Sequence, residues 1–231
     1  MDERTLIVNA DDFGLTPGVN AGIARAHEEG ILTSASLMVR WPAAAEAAEY
    51  AARTPELSVG LHVDLGEWQF IDGDWKQMYD VVDTKDLAAV EAEITSQLEA
   101  FRQLMGRDPT HIDSHQHIHQ HEPESVFVRM ARDLDLSLRG HGPGVRRYVS
   151  FHGQTKRGAP VAESLSVEHM VGIIEALEPG VTEVGCHPGM DHDTGSAYER
   201  ERALEVEILC DPRVRETIER EGVALRSFAD I

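Results

Sequence analysis

The sequence predicts an α/β protein in which a parallel sheet or barrel is covered by helices, and three observations carry that prediction. Short apolar runs recur, each followed by a cluster rich in Asp, His or Gly and then by a longer amphipathic segment, as repeated β-loop-α units read. The chain has 231 residues, a length that α/β barrels routinely occupy as one unit, so residues 1–231 are read as a single domain. Hydrophobic residues make up 42% and charged residues 27%, which supplies a packed core and carries no sign of disorder.

Leu6-Ile7-Val8 is the first apolar run. Thr16-Pro17 then places an N-cap before a proline at the first helical position, opening a helix that should stop near Gly30. Ser34 to Val39 reads as the second strand, alanine-rich Pro42 to Arg53 as a helix, and Leu57 to Val63 as the third strand. Asp64 to Asp83 reads as the longest irregular stretch; its Trp68, Phe70, Trp75 and Tyr79 either form a lid or stacking wall or anchor a satellite core. Lys85 to Leu104 is helical by spacing and propensity, Thr110 to Asp113 is a short strand, and Pro123 to Asp135 is the helix behind it.

Between Ser137 and Ser166, glycines at 140, 142, 144, 153 and 158 mark turns, with Val145 to Phe151 a strand or hairpin among them. Val167 to Leu177 returns to helix, Pro179-Gly180 ends it, and Val181 to Cys186 is a strand with His187 just beyond. Tyr198 to Leu209 and Pro212 to Glu221 read as helices, and Val223-Ala224-Leu225 as a last short strand. The sequence contains no internal repeat, low-complexity tract or linker.

Forty-one acidic residues against 21 basic ones give a net charge of -20, a field that repels phosphate backbones and anionic lipid, so no nucleic-acid or membrane partner is expected. No stretch approaches the roughly 18 to 20 apolar residues of a spanning helix. Met1-Asp2-Glu3-Arg4 runs directly into strand-like Thr5-Leu6-Ile7-Val8 without a secretory pattern, and a cytoplasmic location is expected. Cys186 and Cys210 are the only cysteines, no disulfide framework, and both are expected to be reduced. A homodimer is the default expectation for a chain of this kind.

Asp11-Asp12, His62, Asp113 with His115 and His117, and His187 all fall at or just past the carboxyl ends of predicted strands, where α/β barrels assemble their active sites. Adjacent side chains on a strand point apart, so one aspartate of the pair can hold a cation while the other stays free as a base. Alone, the pair would read as a helix N-cap and a surface carboxylate. His111 to His121 holds five of the chain's 12 histidines, and in an extended segment residues 111, 113, 115, 117 and 119 share a face. Imidazole with carboxylate suits zinc and similar divalent ions, and Asp113 can alternatively hold a ligating histidine in its tautomer. His62 supplies a further ligand in this company, and His187, before Pro188-Gly189, puts a titratable imidazole on the same rim, placed to protonate a leaving amine. His27, His141, His152, His169 and His192 lack such context and read as structural or surface residues.

Asn9-Ala10-Asp11-Asp12-Phe13-Gly14, Gly60-Leu61-His62, His111-Ile112-Asp113-Ser114-His115-Gln116-His117 and His187-Pro188-Gly189 together resemble the YdjC/ChbG family of carbohydrate deacetylases, over residues 6 to about 190. The resemblance implies a distorted (β/α) TIM-like barrel that hydrolyses the acetamido group of a small N-acetylated mono- or oligosaccharide and releases acetate. Carried over by motif position, it implies a divalent metal ion, zinc or magnesium foremost, held by Asp12, His62 and His115, with Asp11 as base and His187 as acid. Motif position selects His115 over His117 as the third ligand. Another metal-dependent hydrolase, acting on an amide or phosphoester, and a metal- or sugar-binding protein without catalysis are the competing readings. Arg40 after Ser36-Leu37-Met38-Val39, and His152 within Phe151-His152-Gly153-Gln154, depart from the family pattern and bear on substrate identity.

Overall fold

The computed structural model describes residues 3–141, 144–155, 157–190 and 198–231; His192 and Gly142 lie outside them. β1 (Arg4–Phe13) is buried along nearly its whole length, because a central strand covered on both faces has no solvent side to keep polar. α1 (Pro17–Glu28) starts where expected, with the Thr16 side chain accepting from the Val19 N–H and Pro17 in the first turn. β2 (Ser34–Leu37), α2 (Ala44–Arg53) and β3 (Ser58–Val63) follow. The excursion 66–80 holds β4 (Gly66–Ile71) and β5 (Asp74–Asp80). Then come α3 (Leu87–Met105), β6 (His111–Ser114), α4 (Glu124–Asp133), β7 (Ser137–Leu138) and β8 (Val145–Tyr148). α5 (Val167–Glu175), β9 (Gly180–Cys186), α6 (Arg200–Leu209), α7 (Pro212–Glu221) and β10 (Ala224–Leu225) complete the order.

The main sheet runs β7-β6-β3-β2-β1-β9-β8 with every pairing parallel, and β10 pairs with Thr5 and Leu6 at the start of β1. The architecture is therefore the α/β class that the motifs imply, a partial barrel with β7 and β8 as its ends. A cavity at that seam is lined by Leu136, Leu138, Val145, Val181, Phe228 and Ile231. The C-terminal turn closes the interior, where the Phe228 ring lies 4.2 Å from that of His111. Among the described residues, no helix is long and apolar enough to cross a membrane.

Parallel pairing puts all strand ends on one rim, and the register levels the chemistry-bearing residues there. His62 is level with Asp113, and Ala10, just before Asp11, is level with Cys186, just before His187.

Two local expectations are corrected. Residues 64–83 contain an antiparallel hairpin, because Asp72-Gly73 adopts φ 57° and 85°, the left-handed pair that closes a tight two-residue turn. Its aromatics divide: Trp68 packs on the core, Tyr79 sits edge-on to Trp41 at 5.9 Å, and Phe70 and Trp75 face each other at 5.6 Å with Trp75 53% exposed. The histidine run is extended only through Ser114. A 3-10 turn takes over at His115–Gln120, with Gln116 and His117 at φ 52° and 55°, so the shared face expected of 111 through 119 ends at Asp113. The turn is closed by the Ser114 N–H donating to His119 Nδ1 at 3.1 Å and the His119 N–H donating to Ser114 Oγ at 2.9 Å.

Gly60 on β3 shows how tightly this interior is filled. A Cβ there would lie 2.4 Å from the His111 ring, itself buried and bonded to Ser36 Oγ at 3.0 Å. Gly60→Ala is expected to cost about 1–3 kcal/mol by overpacking, read as a lower urea midpoint at unchanged m-value.

Candidate active site

The end of β1 is irregular: the register with β2 shifts between Ala10 and Phe13, and Asp12 sits at φ 67°. A non-glycine residue held in that region marks stored strain, which collects at functional sites. Both aspartates are buried and have different partners. Asp12 Oδ1 lies 3.2 Å from His115 Nδ1 and 3.5 Å from His62 Nε2, while Oδ2 accepts from Arg202 at 2.6 Å. Asp11 Oδ1 accepts from Asn9 Nδ2 at 3.0 Å and from Arg139 at 2.6 Å, which leaves Oδ2 facing His187 Nε2 at 3.7 Å.

His62, on β3, is oriented by Asp113 of the neighbouring β6, whose Oδ1 is 2.7 Å from His62 Nδ1. A carboxylate in this position fixes the ring so that the other nitrogen faces the site. That nitrogen, Nε2, is buried with no hydrogen-bond partner among the described residues, and so is His115 Nε2, 3.8 Å from Glu67 at the base of the hairpin. The candidate ligand atoms of Asp12, His62 and His115 lie within 4.8 Å of one another. Orphaned imidazole nitrogens beside a carboxylate fit a divalent cation by both position and chemistry. His117 does not join this cluster, because its Nε2 accepts from Arg147 across the left-handed turn.

The site's electrostatics follow from burial set against pairing. Burial pushes the Asp11 carboxyl up, but Arg139, His62 and His187 outweigh it and hold the group well below the usual carboxylate range. For Asp12, burial is likewise outweighed by Arg202, His115 and His62. Burial pushes His115 down, yet Asp12 and Glu67 bring it up to about 9, and His62 is raised in the same way by Asp113 and Asp12. His187 goes the other way: burial takes it down to about 3 against the pull of Asp11 and Asp12, so its imidazole is neutral. Its ring is 5.1 Å from Tyr198 and 5.5 Å from His152, and Nδ1 has no partner among the described residues.

Several participants went unnoticed in the sequence. Arg139, just past β7, is only 3% exposed and ties together Asp11, Asp113 and Glu183. Arg202, 1% exposed on α6, reaches Asp12. Arg202 lies in the run Arg200-Glu201-Arg202, which reads as a solvated helix face, and nothing in the spacing betrays its burial. His152, read as structural or surface and noted as a departure bearing on substrate identity, stacks on Tyr198 at 4.5 Å and forms part of the wall beside His187. Arg40, the other departure, is on the outer rim, paired with Glu93 at 3.0 Å.

Glu205, behind His187, accepts from the Tyr198 hydroxyl and the His187 N–H, yet burial pushes its pKa from 4.5 up to about 8. The folded protein binds this proton more tightly than the unfolded chain does. This group's contribution to stability is therefore full below 4.5 and declines as the pH rises toward 8. In Glu205→Gln the decline should disappear, so melting temperature across that interval becomes flatter than in the unmodified protein, as thermal melts at stepped pH would show.

Fold and site together define a partial (β/α)-barrel protein with a carboxylate–imidazole cluster at its strand ends, a donor set of the kind divalent cations take. The sequence profile of the family described as YdjC-like protein matches residues 5–220, and the chain belongs to that family. It is 34% identical over 248 residues to the carbohydrate deacetylase of Vibrio vulnificus (strain YJ016), covering 98% of this chain and 96% of the relative. It is 31% identical over 259 residues to the chitooligosaccharide deacetylase of Klebsiella pneumoniae (strain 342), covering 99% and 100%. Among solved structures it superposes with TM-score 0.81 and 28% identity on a protein from Enterococcus faecalis V583 described as a candidate cellobiose-phosphate cleavage protein, covering 99% and 98%. A family 4 carbohydrate esterase from Streptomyces lividans shares the fold at TM-score 0.55 and 12% identity, covering 98% and 93%.

Proposed function

We propose that the protein is a metal-dependent carbohydrate deacetylase that hydrolyses the acetamido group of a small N-acetylated amino sugar or chitooligosaccharide, releasing acetate. The observation that carries this reading is the division of labour at the β1 end: Asp12 faces His62 and His115, while the neighbouring Asp11 turns one oxygen, without a hydrogen bond among the described residues, toward His187. The deacetylase relatives align over nearly their full length.

Asp12, His62 and His115 would hold the cation, zinc or magnesium, which when bound supplies acidity to a water and polarises the acetyl carbonyl. Asp11 Oδ2 takes the proton of the water as its oxygen joins the carbonyl carbon. Arg139 and Asn9 fix the carboxylate through its other oxygen, so the base cannot rotate away. As the C–N bond breaks, the amine nitrogen needs a proton, and His187 delivers it. Its imidazole rests neutral, so the proton it gives is one passed on from Asp11, whose Oδ2 is 3.7 Å from Nε2. Acetate and the free amino sugar leave.

The test is acetate release from mono-, di- and trisaccharides of N-acetylglucosamine, plain and phosphorylated, by protein stripped with chelator and reloaded separately with Zn, Mg, Co, Ni or Mn. The phosphorylated arm is included because the Enterococcus faecalis structure is described in terms of a sugar phosphate. Acetate from at least one sugar is the expected result; none from any sugar with any metal would remove the reading.

A further inference from the structure

The hairpin β4–β5 leaves the end of β3, and residues 149–155 and 157–161 follow β8. In the sheet, β2, β1 and β9 stand between β3 and β8, and two of these carry Asp11, Asp12 and the approach to His187. A contact between the hairpin and the segment after β8 therefore bridges two strand ends that flank those residues. Among the described residues such a contact is made by the Arg157 guanidinium, 5.3 Å from the centroid of the Phe70 ring, which Trp75 braces edge-on.

Both feet of this arch stand on the site. On the hairpin side, Glu67 approaches His115, and the Trp68 backbone exchanges hydrogen bonds of 3.0 and 2.8 Å with the Gln116 side chain. On the other side, His152 packs on Tyr198 beside His187, the Gly153 N–H donates to the Tyr198 hydroxyl at 2.9 Å, and Gln154 donates to Glu201 at 3.0 Å. At the crown, Arg157 meets Phe70 through an exposed cation–π contact, which is weak compared with the hydrogen bonds at the feet.

We propose that the Arg157–Phe70 contact roofs the site and makes the protein selective for short substrates. A terminal sugar can enter beneath the arch, whereas an interior unit of a long chain, with sugar on both sides, would have to thread under it. The inference rests on the deacetylase reading for its substrate and on the arch for its selectivity, and each can fail separately. It also gives the hairpin aromatics a purpose: Phe70 and Trp75 serve as the abutment, and Trp68 and Tyr79 anchor it to the core.

The experiment compares the unmodified protein with Arg157→Ala, Phe70→Ala and the conservative Arg157→Lys. Acetate release is measured from the N-acetylglucosamine disaccharide and hexasaccharide. Both alanine variants should raise the hexasaccharide-to-disaccharide ratio of kcat/KM about tenfold, as expected when a steric discriminator is removed. Arg157→Lys, which keeps a cation over the ring, should stay near the original ratio. In parallel, carbethoxylation of the neutral His187 by diethyl pyrocarbonate is followed by mass spectrometry in the free protein, which requires no acetate chemistry. Faster labelling in both alanine variants supports the roof even where no sugar is deacetylated, a result that would sink only the substrate reading. An unchanged ratio in an active enzyme, or unchanged labelling in an inactive one, overturns the roof.

Discussion

Asp11→Asn is expected to keep its cation and lose about a thousandfold in acetate release, within the 10²–10⁴ range that a positioned acid–base group contributes. The asparagine fits the space, and its amide oxygen can take over the bonds that Asn9 and Arg139 now make to Asp11 Oδ1. The amide nitrogen then stands where Oδ2 faces His187, and it cannot accept a proton. His62→Ala is the contrasting variant: it removes a nitrogen from the cluster of Asp12, His62 and His115, so metal content and turnover should fall together. Metal analysis and kcat on the same preparations separate the two roles. An Asp11→Asn protein at full activity would move the base elsewhere.

Arg139→Met is expected to be the most destabilising single change, by about 3–5 kcal/mol, the usual consequence of removing one partner from a buried ionic network. Arg139 lies between Asp11, Asp113 and Glu183, all buried, and a methionine of similar length removes the guanidinium that all three share. Asp11 and Asp113 are held below the ordinary carboxyl range with Arg139 among the causes. Carboxyls depressed on folding contribute stability that is present above the unfolded value, near 3.8, and lost as the pH falls through the folded value. The variant gives up that contribution, so its deficit should be largest at neutral pH and narrow toward acid. Urea unfolding at pH 7 and at pH 3, on either side of that value, measures this; equal stability at pH 7 would mean that the three carboxylates do not depend on the arginine.

Much of this was legible in the chain because the β-loop-α periodicity determines which residues can share a rim. Once the strands are parallel, Asp11, His62, Asp113 and His187 must come out at one end, and pairing of His62 with Asp113 levels them. The hairpin was misread although its signal was present: Asp72-Gly73 sits between runs that alternate poorly, so the turn was visible and the strands were not. The histidine cluster misled in the opposite direction. Its alternation is regular, yet Gln116 and His117 enter left-handed backbone, a choice made by the Ser114–His119 closure that no spacing reveals. Arg139 and Arg202 were invisible for a third reason, since a charged residue announces nothing about its burial until its partners are in place.

Acetate production by stripped protein titrated with zinc, with bound metal measured in the same tubes, tests the central claim most directly. The account predicts negligible acetate from metal-free protein and a rise that tracks bound zinc until about one ion is held per chain, as a site of three protein ligands with an open position requires. Full activity in the metal-free protein, or no acetate from any N-acetylated sugar with the Asp12, His62 and His115 site loaded with zinc and, in a parallel titration, with magnesium, would contradict it.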